Sequence, residues 1–328
     1  MNHHVLRRGV AALGVTALAL VPAAGASAHQ AGASSPASVS RQSQPAATLD
    51  PTTAQHLHDA MRGEAFAHAS YHAYATQART EGLTRVAQLY DRTAGVEFGD
   101  HFTAEAQLVG QVGSNAANLQ DAISGENYET TTMYPGFAAD AAAAGDSNAA
   151  ETFTGIAADE ATHRDYFRQA LQAITDPSSG VTVPAGPQAD PVTIPAGPAQ
   201  VSAPTLANLQ TAMHGEALAY AKYTLYAEHA RATGQPALAA LFERTSQVEL
   251  TEHFAEEATL AGLVSDTRTN LSNSISGETY EATVMYPTYA RDAAAVGDLE
   301  AARVLRHNGR DEAHHAATFA RTLTALNS

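Results

Sequence analysis

The chain repeats itself, and the repeat keeps its charges in register. Glu64, Glu97, Glu126, Glu129, Glu160 and His163 recur at Glu216, Glu249, Glu278, Glu281, Glu312 and His315, each 152 residues later. Five carboxylates and one imidazole held in place through a duplication point to something that they hold. The best candidate is a pair of metal ions in each copy.

The rest of the chain organises around the two copies. Arg7-Arg8, the apolar run Gly9 to Val21 and Ala26-Ser27-Ala28 have the form of an export leader, with cleavage expected after Ala28. The paired arginines are compatible with a twin-arginine route as well as the general one. A Ser/Ala/Pro/Gln spacer follows over 29–50, then a first domain over 51–174, a Pro/Gly-rich linker over 175–203 and a second domain over 204–328. Each domain reads as four helical stretches. In the first they run about Pro51 to Glu81 with Gly82 as the stop, Thr84 to Leu108, Asn118 to Ala144, and Ser147 to Ile174. Alanine is abundant and β-branched alternation is nearly absent, so the fold class is all-α, two tandem four-helix bundles.

Composition removes several classes of function. With no cysteine, the chain has no disulfide, thiolate zinc site, iron–sulfur cluster or thiol nucleophile. Of 18 basic residues two lie in the leader, leaving 16 against 34 acidic ones, a balance that repels nucleic acid and anionic membranes. No segment beyond the leader is long and apolar enough to suggest a membrane span.

A lone Glu on an alanine-rich helix ordinarily faces water. Here the core stripe of the fourth helix reads Phe153, Ile156, Glu160, His163, Phe167, Ala170, Ile174, so Glu160 and His163 interrupt an apolar ladder. The third helix places Glu126 and Glu129 between Ala122 and Met133, the second places Glu97 and Asp100 beyond Thr93, and the first places Glu64 between Leu57 and Tyr71. Uncompensated burial of that many carboxylates costs several kcal/mol each, and the stripes supply no arginine. Two divalent cations nearly balance five carboxylates. Oxygen ligands with an occasional imidazole suit iron, with manganese as the alternative.

The residues resemble the diiron domain of the rubrerythrin family, within the ferritin-like superfamily. The resemblance rests on Gly63-Glu64 with Tyr71, on Leu89-Tyr-Asp-Arg-Thr-Ala-Gly-Val-Glu97, and on Glu160-x-x-His163. Its most specific part is Gly125-Glu126-x-x-Glu129 followed by Met133-Tyr134-Pro135, echoed at Gly277-Glu278-x-x-Glu281 and Met285-Tyr286-Pro287. It implies that Glu64, Glu97, Glu129 and Glu160 are the principal ligands and bridges, completed by Glu126 and His163. Glu216, Glu249, Glu281, Glu312, Glu278 and His315 take the matching roles. It also implies that Tyr71, Tyr134, Tyr223 and Tyr286 hydrogen-bond ligand carboxylates; plain core packing is the competing account.

Three departures from the family pattern matter. The family's second helix has Glu-x-x-His, its histidine joining a redox-linked ligand exchange; here that position holds Asp100 and Glu252. His101 and His253 come one residue later, about 100° round a regular helix. The acidic residue is therefore expected as ligand, the alternative being a π-bulge that turns the histidine inward. The chain also lacks the cysteines of a rubredoxin-like domain, so electrons would come from an external donor. Finally, the step from Leu108 to Asn118 reaches about 33 Å fully extended and must cross about 28 Å of bundle. That tension disappears if the first two helices of one repeat pack with the last two of the other, or of a second chain in a homodimer. His68, His72, His214, His229 and His314 are not repeated and are expected at the surface or beside the ligands.

The resemblance implies an exported diiron protein that reduces hydrogen peroxide or dioxygen. The alternatives are a ferroxidase or metal-sequestering protein, and a non-catalytic helical envelope scaffold.

Overall fold

A computed structural model describes residues 49–328; the leader and nearly all of the spacer lie outside the described residues. The order is α1 (Pro51–Thr80), α2 (Thr84–Val96), α3 (Thr103–Val109), α4 (Asn115–Tyr128), α5 (Tyr134–Ala144) and α6 (Ser147–Thr175), then α7 (Ala203–Ala232), α8 (Pro236–Val248), α9 (Phe254–Ala261), α10 (Thr267–Tyr280), α11 (Tyr286–Val296) and α12 (Leu299–Leu326). Four π-helical turns join consecutive helices: Glu97–Phe102, Glu129–Met133, Glu249–His253 and Glu281–Met285. Each opens on a glutamate of the repeated set. Among the described residues there is no strand.

Local chemistry accounts for the boundaries. Asp50 caps α1, its carboxylate accepting from the Thr52 amide at 2.8 Å, with Pro51 in the first turn. Gly82 stops α1 in the left-handed conformation, as its sequence position predicts. Ser114 and Asp266 cap α4 and α10 through their side chains.

The two bundles are built across the repeats. Helix α1 with α2 and α3 packs against α10, α11 and α12, while α7 with α8 and α9 packs against α4, α5 and α6. The exchange anticipated from the short Leu108–Asn118 connection is thus the arrangement found, within one chain. The chain has only to turn from Val109 through Gly110 into α4 at Asn115 and into the other bundle, with no crossing to make. The two sequence domains, 51–174 and 204–328, are therefore not the two structural bundles.

Helices α1 and α7 pack against each other at the centre. There Met61, Ala65 and Ala69 share a buried apolar cluster with Leu209, Met213, Ala217 and Ala221. The linker is an extended strap, with a single 3-10 turn at Pro177–Ser179. Its Val192, Gly197 and Gln200 amides donate to the carbonyls of Thr251, Val264 and Leu260 at 2.8–2.9 Å. Gly262 lets it come this close: its φ is +63°, and a Cβ there would lie 2.3 Å from the Ala199 amide nitrogen.

Candidate dimetal centres

Each bundle buries one acidic cluster at mid-height. In the first, Glu64, Glu97, His101 and Glu312 each place one ligand atom within 4.8 Å of the others, and so do Glu97, Glu278, Glu312 and His315. In the second, the corresponding sets are Glu160, Glu216, Glu249 and His253, and Glu126, Glu160, His163 and Glu249. Two quartets that share two carboxylates would hold two adjacent cations, with Glu97 and Glu312 common to both sets in one centre and Glu249 and Glu160 in the other. Every centre draws half its ligands from each repeat.

The π turns decide which residue of the second helix faces inward. One extra residue in the turn moves the inward position from the third to the fourth after the glutamate. His101 and His253 are consequently 0% and 1% exposed, with Nδ1 of His101 3.1 Å from Glu97 and 2.9 Å from Glu312. Asp100 and Glu252, expected as ligands, stay outside. Asp100 is exposed, and Glu252 is half-buried and accepts from the Asp190 amide of the strap. An unbroken α-helix was the assumption that misplaced them.

Glu129 and Glu281 lie at the edge of the clusters rather than within the quartets. They are half-buried; an added Cβ on Gly215 or Gly63 would stand 3.6 Å from Oε1 of Glu129 or Glu281 respectively. The four tyrosines do touch ligands, and each reaches across the repeats. Tyr71 donates to Glu278, Tyr134 to Glu216 and Tyr286 to Glu64, and Tyr223 donates to Glu126 at 2.6 Å.

The sequence reading passed over two further glutamates. Glu105 and Glu257 are wholly buried. Tyr286 and Tyr134 also approach these carboxylates, each hydroxyl 2.9 Å away, so each tyrosine stands between a ligand and a second acid. Asn308 donates to Glu105 at 2.9 Å. The signal was present: 105 and 257 differ by the same 152, and Glu97, His101 and Glu105 stand four residues apart along one helical face.

Of the unrepeated histidines, His68 is buried, not superficial. Its Nδ1 lies 2.7 Å from the Ala94 carbonyl, its ring stacks on Tyr220, and burial pushes its pKa down to about 4, so it is a neutral packing group between α1 and α7. His214 stacks on Phe66, and His314 is exposed.

Electrostatics makes the clusters costly to keep ionised without cations. Burial pushes Glu97 up to about 7, and Glu129 and Glu278 to about 8. Burial alone would also raise Glu160, but His253 and His163 more than offset it and hold it low. Even so, buried oxygens of Glu97, Glu126, Glu160, Glu249, Glu278 and Glu312 have no hydrogen-bond partner. Orphaned carboxylate oxygens converging with two imidazoles fit a pair of divalent cations.

The rubrerythrin family profile matches twice, over residues 55–171 and 207–323. Among curated proteins, nigerythrin of Nitratidesulfovibrio vulgaris is 34% identical over 140 residues, 38% of this chain and 69% of the relative. Rubrerythrin of Porphyromonas gingivalis is 33% identical over 138 residues, again 38% and 69%. Rubrerythrin of N. vulgaris is 34% identical over 125 residues, 34% of this chain and 65% of the relative. No solved structure gives a significant match. With two profile matches that coincide with the repeats, and with the acidic clusters lying inside them, the chain belongs to the rubrerythrin family and carries its domain in duplicate.

Proposed function

We propose that this chain is an exported two-centre diiron oxidoreductase that reduces hydrogen peroxide with electrons from an external donor, dioxygen being the slower substrate. The observation that carries the reading is the inward position of His101 and His253. The family's redox-linked ligand exchange needs an imidazole on this helix, and the π turn supplies it. Iron, when bound, would supply two electrons per centre; peroxide then consumes two protons and yields two waters.

The chain's own residues would manage those protons. Burial holds the Glu105 and Glu257 carboxyls well above the usual carboxylate range, which favours the protonated acid. Tyr286 links Glu105 to Glu64, and Tyr134 links Glu257 to Glu216, so a hydrogen-bonded path joins the acid to the ligand set. The remaining tyrosines, Tyr71 and Tyr223, fix the orientation of Glu278 and Glu126.

Stopped-flow oxidation of the reduced, iron-loaded protein tests the proposal. Peroxide is expected to oxidise it faster than dioxygen does. A preference for dioxygen with release of ferric product would make it a ferroxidase, and redox-silent centres would leave a helical scaffold. Export is tested by the N-terminal mass of the extracytoplasmic protein, expected to begin after Ala28. No helix of the described residues is long and apolar enough to cross a membrane.

A further inference from the structure

On the outer side of the first centre, Asp100, His307 and Asp311 each offer one ligand atom, all within 4.8 Å of one another. The Nε2 atom of His307 stands 3.5 Å from Asp311 Oδ2 and 3.9 Å from Asp100 Oδ2. Around a zinc-like ion with bonds of about 2.0–2.1 Å, neighbouring tetrahedral ligands stand roughly 3.3 Å apart. Small side-chain rotations close the difference. Among the described residues neither carboxylate has a lysine or arginine within ion-pair distance.

A second observation points to the same place. His101 is 0% exposed, and its Nε2 has no hydrogen-bond partner. That atom is aimed at this cluster, 3.6 Å from the same Asp311 oxygen that faces His307. Asp311 thus stands between a buried ring and a surface ring. The counterparts over the second centre are Glu252, Gly155 and Asp159. Asp159 repeats the approach to the buried ring, 3.7 Å from His253 Nε2. Gly155 has no side chain to complete a ligand set, and Glu252 is taken by the strap.

We infer that Asp100, His307 and Asp311 form a third metal site, a mononuclear one that takes a divalent cation of zinc type and, among the described residues, has no counterpart over the second centre. One carboxylate, Asp311, serves both sides: it ligates the surface ion and faces the Nε2 of His101. The site does not depend on what the buried centres reduce.

The test is calorimetric titration of zinc alone into protein whose iron content has first been measured at saturation. The wild-type chain is expected to take up one further zinc ion. His307→Gly, which copies Gly155, is expected to take up none while its iron content stays unchanged, its melting temperature falling slightly because glycine weakens α12. Anomalous diffraction at the zinc edge should place the extra ion against the three side chains. No zinc uptake by the iron-saturated wild type, or equal uptake by His307→Gly, overturns the inference; a shortfall of iron itself would instead count against the reading of the buried centres.

Discussion

The two centres share their ligand sets and differ in their walls. Around the first, Asn308 donates to Glu105, and Tyr90 reaches Ser274 at 3.2 Å. Around the second, the positions equivalent to Asn308, Tyr90 and Ser274 are Ile156, Phe242 and Ala122, none of which carries a side-chain hydrogen-bonding group. Lys222 offsets part of the rise that burial imposes on Glu129, whereas the equivalent position in the other repeat is Ser70. His315 keeps 13% of its side chain exposed, against 2% for His163. Residues that converge on a cation position cannot change without orphaning the others, while the packing around them can trade a hydrogen bond for an apolar contact at small cost.

The largest effect should come from separating the repeats. A chain of residues 49–174 has half of each ligand set and no partner for α1, so its monomer should hold no metal. It should recover centres only as an exchanged dimer or on mixing with residues 175–328. Size-exclusion with metal analysis decides this; a metal-loaded monomeric half would break the cross-repeat assembly.

Single ligand substitutions sharpen the same point. Glu97→Ala and Glu312→Ala, from opposite repeats, should empty the same centre, losing about two of about four ions each, and the double variant should lose no more. Glu97→Ala combined with Glu160→Ala should empty both centres. If Glu97 and Glu160 proved to share a centre, the assembly described here would be wrong.

Protons and metal should compete. Glu97, Glu129 and Glu278 are raised to about 7 to 8, chiefly by burial, above a value of 4.5 for a free side chain. The folded metal-free chain therefore holds these protons more tightly than the unfolded one. Its stability from them is full below about pH 4.5 and is lost as pH rises to about 8. Glu160, held low, contributes oppositely and loses its share as pH falls below 4.5. Thermal melts of metal-free protein should show stability falling from pH 5 to 8, and metal loading should remove the slope and release protons. A flat profile without metal would mean that the carboxyls are solvated.

The smallest effect tests the walls. Asn308→Ile leaves Glu105 short of a donor and should destabilise the metal-free protein by about 1–3 kcal/mol in denaturant titrations. Ile156→Asn should do less, since it takes no hydrogen bond away from Glu257. Equal and negligible effects would make the difference between the centres inert.

Much of this was legible in the amino-acid order. The core stripe through Phe153, Ile156, Glu160 and His163 is buried as its spacing implies, and the short Leu108–Asn118 connection led to the exchange between repeats. The register of the second helix was not legible. A π turn costs backbone regularity for a gain made only where Glu64 and Glu312 of other helices meet His101, and nothing local to Glu97–Phe102 announces it.

Sequence alone settled that the chain is helical, duplicated and acid-cored, because period and offset are properties of one dimension. Which carboxylates share a cation position, which imidazole joins them and why Asp100 does not were decided by packing. Those outcomes depend on energies between helices far apart in the chain, and local propensity carries no record of them.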